Sequence, residues 1–172
     1  MKYFVEFVAL ALTLSSCSRQ SAKELYEEGI TAYDQKNYQL AVEKFREVVD
    51  RSAATAYAES SQFRIAMIYN NDLHDFPKSV AEYQKFTLLF PSSKESPTAL
   101  FLTGFLFNNE LHKLDSAKVV YEEFLQKYPD HQLALSAKFE LNSLGKDPTE
   151  LLQPEPAPAE SKSHPHETSA KK

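Results

Sequence analysis

The sequence predicts an all-α solenoid of three helix pairs closed by a C-terminal capping helix, and three observations predict it. The 172-residue chain holds only three glycines, a scarcity that favours long helices over turn-rich β classes. Ala41, Phe45 and Val48 return as Ser79, Tyr83 and Phe86, and again as Ala117, Tyr121 and Phe124, at a constant step of 38. A fixed period of this size is the signature of stacked supersecondary units. Within each unit, the small residue, the aromatic four later and the apolar residue three after that share one face of a helix.

Ahead of each of these helices lies another, over about 22–35, 55–70 and 96–110, giving units of about 22–53, 54–91 and 92–129. Gly29, Ala66 and Gly104 are the small contact residues of the first helices, each followed by bulk at Ile30, Met67 and Phe105. Tyr38, Phe76 and Leu114 keep the 38-residue step, as do Pro91 and Pro129, and Ser92, Ser93 and Asp130 supply turn chemistry after the prolines. A strict step aligns Leu25, Phe63, Phe101 and Phe139, one residue out of phase with the small contacts, and the turns at Asn70–Asp75 and Asn108–Lys113 are expected to absorb the slip. A seventh helix over about 131–144 presents Leu133, Ala137, Leu141 and Leu144 to the last unit, with Gly145 as its stop. From 146 to 172 the composition turns to Pro, Ala, Glu, Ser, Lys and His, and Pro154, Pro156, Pro158 and Pro165 predict a disordered tail.

The bulk numbers limit the function. Hydrophobic residues at 42% and charged residues at 25% fit one folded globular domain. A net charge of -5 leaves no basic patch to neutralise a row of phosphates, so nucleic acid is not an expected partner. Cys17 is the single cysteine, which excludes an intrachain disulfide and a multi-thiolate metal site.

Residues 1–16 read as a secretion signal: Lys2, an apolar run from Phe7 to Leu14, then small residues. The run is shorter than the roughly 20 apolar residues that span a bilayer, and Glu6 interrupts it. Leu14-Ser15-Ser16-Cys17 resembles the lipobox of bacterial lipoproteins. The resemblance implies that Cys17 is lipidated and becomes the first mature residue, with several acyl chains giving a stable anchor. Ser18, in place of the aspartate that retains some lipoproteins at the inner membrane, points to the outer membrane, and residues 17–21 form a short linker. The alternative is an ordinary secretory signal that happens to carry a cysteine.

The order of small residue, aromatic, apolar residue and proline resembles the tetratricopeptide repeat over 22–144, lengthened here and lacking tryptophan. Ser79 stands for an alanine in the second unit and Ala53 for a proline in the first. A lipobox followed by AKELYEEGITAYDQKNYQLAVEKFREVV, then YQKFTLLFP and YEEFLQKYP, is similar to the BamD family of outer-membrane assembly lipoproteins and to the periplasmic repeat region of the Tol-Pal accessory protein. BamD-type proteins have more repeats than the three here. The resemblance implies a membrane-anchored scaffold in the periplasm that binds a protein or peptide partner, in barrel assembly or, alternatively, as a peptidoglycan and cell-division accessory or a surface-exposed lipoprotein. Mapping the family's concave groove onto this chain selects Tyr26, Ile30, Tyr33, Phe63, Met67, Asn70, Phe101, Phe105 and Asn108.

No phosphate loop, HExxH, GxSxG or CxxC occurs, so no enzyme, cofactor, metal site or small-molecule substrate is expected. His74, His112 and His131 fall at helix junctions and read as polar turn residues, and His164 and His166 fall in the tail. Glu27-Glu28 and Glu122-Glu123 are neighbours that do not face each other as a catalytic dyad would. Asn70-Asn71 and Asn108-Asn109 read more readily as C-terminal caps in the left-handed conformation than as an amide ladder gripping a peptide.

Overall fold

A computed structural model describes residues 20–146. The signal segment 1–16, Cys17, the linker up to residue 19 and the tail from 147 lie outside the described residues. Seven helices follow one another: α1 (Ala22–Asp34), α2 (Tyr38–Arg51), α3 (Ala56–Asn71), α4 (Phe76–Leu89), α5 (Ser96–Asn109), α6 (Leu114–Lys127) and α7 (Ala134–Ser143). Among the described residues there is no strand. Each helix packs on the next in the chain, and α1 also reaches α3, so the architecture is the all-α solenoid that the repeat predicts.

The helices begin where side chains can satisfy their unpaired first-turn N–H groups. Ser21 and Glu24 form a capping box, with the Glu24 backbone N–H donating to the Ser21 hydroxyl at 3.2 Å and the Ser21 N–H donating to the Glu24 carboxylate at 2.7 Å. Ser21 is thus the N-cap of α1, the residue that precedes its first turn. Asn37, Thr55 and Asp75 accept from the first turns of α2, α3 and α4. Pro77 and Pro97 sit in the first turns of α4 and α5, where their missing N–H costs nothing.

Packing between paired helices depends on the small residues. A Cβ added to Gly29 would stand 2.6 Å from Phe45 Cε1, and one added to Gly104 would stand 2.8 Å from Tyr121 Cε1. Glycine is needed at both for close approach to a ring. The middle pair solves the same problem with Ala66, onto whose carbonyl the buried Ser79 hydroxyl donates at 2.9 Å. The serine at that position thus adds a bond between α3 and α4. Phe45, Tyr83, Phe86, Tyr121 and Phe124 are buried, each a large apolar group that contributes about 1.5–3 kcal/mol on leaving water. A polar contact ties three helices across the first boundary between units: Gln62 on α3 and Arg46 on α2 both donate to the Glu82 carboxylate of α4, at 2.7 and 2.8 Å. Desolvation opposes the Arg46 charge, and the Glu82 contact with help from Tyr69 outweighs it, so the guanidinium is held above its ordinary pKa.

The one-residue slip of the repeat has a simple origin. The turn between α1 and α2 is Gln35–Asn37, whereas those between α3 and α4 and between α5 and α6 are Asp72–Asp75 and Glu110–Lys113, one residue longer. The buried counterpart of Leu25 in α3 is accordingly Gln62 and not Phe63. The asparagine caps are corrected: the residue after α3 is Asp72 and after α5 Glu110, both right-handed. The left-handed positions are Lys36 (φ 60°), His74 (φ 51°) and His112 (φ 51°), deeper in each turn. Asn109 instead bonds back to the Phe105 carbonyl at 3.1 Å. The last helix starts at Ala134, later than the expected 131, because His131 and Gln132 complete the preceding turn. Gly145 comes after α7 with φ 71°, the left-handed stop that glycine adopts at no steric cost.

Candidate protein-binding groove

Tyr26, Phe63 and Met67, from α1 and α3, come together around a cavity of about 410 Å³ that also touches Glu59, Lys94 and Glu95. The α4–α5 turn thus closes one end of it. The spacing puts them there: Phe63 and Met67 are one helical turn apart, and Tyr26 faces them from the neighbouring first helix. The Tyr26 ring lies 5.5 Å from Phe45 and 5.4 Å from Tyr57, and Phe63 rests edge-on against Tyr83 and Phe86 at 5.6 and 5.2 Å. Each of these rings has one side committed to the core. Met67 is 39% exposed, a flexible apolar side chain on open surface.

Arg64 is the residue that sequence reasoning missed. Its Nε donates to the Tyr26 hydroxyl at 2.9 Å, and its guanidinium carbon stands 5.8 Å from the centre of the same ring, an arrangement that fixes the charge over an aromatic face. Among the described residues it forms no ion pair. Arg64 also lines a second, 30 Å³ cavity with Tyr33, Met67 and Asn71. Its guanidinium is thus a charged donor group on the lining of both cavities. One signal could have found it: Arg64 is the single basic residue in the segments of α3 and α5, and it adjoins Phe63.

The other selected residues divide. Ile30 and Tyr33 are half-buried against the first core cluster, with Tyr33 edge-on to Tyr38 at 5.6 Å. Asn70 donates to Asn71 at 2.7 Å and does not line the two cavities that hold Arg64. Phe101 lies 5.8 Å from Tyr121 and 6.0 Å from Phe124, and Asn108 donates to Glu140 of α7 at 3.1 Å. Phe105 is half-buried. Tyr26, Phe63 and Met67 thus share open space, while Asn108 of α5 is turned toward α7. Burial raises the Tyr83 phenol above its ordinary pKa, and burial with Glu140 does the same for Tyr121, so both hydroxyls stay protonated.

The junction histidines occupy turns: His74 and His112 are exposed, and His131 Nδ1 accepts from the Leu133 N–H at 3.2 Å. Among the described residues no cluster of His, Cys, Asp and Glu could hold a metal ion, and no helix is long and apolar enough to cross a membrane.

Stacked helix pairs joined by small-residue-to-ring contacts, with an aromatic surface on the first helices, define a tetratricopeptide-type scaffold for protein interaction. The TPR domain of Arabidopsis OM64 has this fold, with a TM-score of 0.51 and 20% identity over 71% of this chain and 94% of that one. A family model described as YfiO, an outer membrane lipoprotein, matches residues 18–147, and the chain belongs to that family, as its resemblance to BamD-type lipoproteins implies. Among curated proteins none matches the chain.

Proposed function

We propose that this protein is a scaffold anchored through lipidated Cys17 in the outer membrane, with its repeats in the periplasm, where it docks a protein partner in outer-membrane protein assembly. The observation that carries the reading is the groove: an aromatic cavity with an arginine fixed in it that forms no ion pair among the described residues, inside a domain that an outer membrane lipoprotein family model spans. Tyr26, Phe63 and Met67 supply rigid and flexible apolar contact, and Arg64 supplies donors to a partner's carbonyl or carboxylate groups. Ile30, Tyr33 and Asn70 extend this surface along α1 and α3, and Phe105 with the half-covered Phe101 extends it over α5, where Asn108 is held by Glu140. A linker from Cys17 to Ser21 spans at most about 14 Å and keeps α1 beside the lipid.

Crosslinking and pull-down from membranes, with wild type, Cys17→Ser and Arg64→Ala compared after fractionation, test the proposal. Expected are barrel-assembly subunits with wild type, a Cys17→Ser protein released from the membrane, and loss of the partner with Arg64→Ala. Recovery of wall enzymes would favour the peptidoglycan accessory role, labelling of intact cells would favour a surface position, and a membrane-bound Cys17→Ser would remove the lipid anchor.

A further inference from the structure

Consecutive helices packed on each other through short turns run in opposite directions, so the solenoid has two long edges. The starts of α1, α3, α5 and α7 and the ends of α2, α4 and α6 share one edge, and the turns within each pair make up the other. Ala22 at the start of α1, Val48 near the end of α2, Ala58 at the start of α3 and Phe90 at the end of α4 pack in one apolar cluster, which places the first edge directly.

Charge separates the two edges. Residues 52–58, across the α2–α3 turn, and 86–93, across the α4–α5 turn, carry none. Each turn of the opposite edge holds some: Lys36 in the first, Asp72 and Asp75 in the second, Glu110 and Lys113 in the third. On the uncharged edge, in the last turn of α4, Leu88 is 80% exposed and Leu89 43%. Leu89 and Phe90 line a hollow of about 450 Å³ with Ala53, Ala54, Thr55 and Ala56. Glu59 also borders it, but its carboxylate is engaged, accepting from the Ser93 hydroxyl at 2.6 Å. A leucine this exposed beside an apolar hollow gains free energy wherever lipid replaces water.

We infer that this edge of the first two units rests on the membrane surface, with Leu88 and Leu89 at the boundary between headgroups and acyl chains. The inference rests on the lipid anchor proposed at Cys17. From there the chain enters the fold at Ser21, the N-cap of α1 on this same edge, after at most about 14 Å. An apolar surface element sinks only about 5–10 Å into that boundary, a depth such a tether permits. Lys85 and Lys94 flank the uncharged stretch 86–93, placed to meet lipid phosphates while their stems lie along apolar surface. The tether holds lipid at high effective concentration, so two leucines suffice where a free domain would need a larger apolar face. The third turn between pairs carries the exposed Asp130, lies farthest from the tether and stands clear of the lipid.

The test uses the mature full-length lipoprotein in vesicles of phosphatidylethanolamine and phosphatidylglycerol, some of them carrying a nitroxide near the headgroup. A fluorophore is placed at Ser92→Cys on this edge or at Gln35→Cys, at the other end of α1. The Ser92 label should be quenched by the nitroxide lipid about threefold more than the Gln35 label. Leu88→Ser, at a side chain too exposed to support the core, should remove about half of that difference. Equal quenching at the two positions, or quenching unchanged by Leu88→Ser, would overturn the inference. So would a Ser92 label shielded from aqueous iodide but not quenched by the lipid, increasingly at higher protein density, because a second copy would then be the occupant. Mass spectrometry of the same preparation separates the two readings: a chain without acyl groups on Cys17 overturns the anchor and this orientation with it, whereas an acylated chain with equal quenching overturns the orientation alone.

Discussion

Over α1 and α3, Tyr26, Phe63 and Met67 share a cavity with Arg64, whereas over α5 Phe101, packed on Tyr121 and Phe124 as Phe63 is on Tyr83 and Phe86, has no arginine beside it, and Asn108 is engaged by α7. The residues occupy matching positions of successive repeats. Their roles differ because the helix stacked next to each differs. Between α1 and α3 the neighbour supplies Arg64, and beyond α5 it supplies Glu140, which takes up the amide of Asn108. A repeated position in a solenoid is thus a binding surface or a packing surface according to its next neighbour, and not according to its own residue type.

The largest expected effect removes the scaffold on both sides of this comparison. Phe45→Ala and Phe124→Ala should each cost about 3–5 kcal/mol in urea unfolding, since both rings are fully buried. A much smaller loss in Phe124→Ala alone would mean that the α5–α7 end packs loosely. Next come Gly29→Leu and Gly104→Leu, which drive a side chain into Phe45 and Tyr121 and should each cost about 1–3 kcal/mol by thermal melting monitored with circular dichroism. Only the Gly29 change should also weaken partner capture, because Tyr26 rests on Phe45.

The comparison sharpens with a pair of smaller changes. Arg64→Ala should reduce partner capture by about tenfold, which is about 1.4 kcal/mol, with little change in melting temperature. Asn108→Ala should do the reverse, lowering stability by about 0.5–1.5 kcal/mol through the lost Glu140 bond and leaving capture intact. Equal effects of the two on capture would show that the groove runs over all three units.

The smallest effect lies at the first cap. The Ser21 backbone N–H, then its hydroxyl, hold the Glu24 carboxyl below its ordinary pKa. A depressed carboxyl stabilises the fold above its unfolded pKa and loses that contribution as pH falls through the folded value. Ser21→Ala should therefore lower the melting temperature by roughly a few degrees at neutral pH, and the gap from wild type should narrow on acidification. A gap that is constant with pH would show that the Ser21 hydroxyl does not act through the Glu24 carboxylate.

How much of this was legible without the structure depends on the range of the interaction. The repeat step, the small-to-ring pairs at Gly29 and Gly104, the seven helices and the glycine stop at 145 are encoded locally, as periodicity, residue size and backbone freedom, and sequence alone determined them. The nine groove positions fall on matching places in the three first helices because the small contacts set their phase. Tertiary structure decided what a periodic pattern cannot hold. The one-residue slip sits in the shorter Gln35–Asn37 turn, and the left-handed residues are histidines and a lysine, because the path of the turn and not residue preference places them. Arg64 joined the cavity lining beside Tyr26 only when α1 and α3 were packed together, and Asn108 was engaged only when α7 brought Glu140. Both are contacts between side chains more than 30 residues apart, and such contacts depend on how units stack, whereas the period records only that they do.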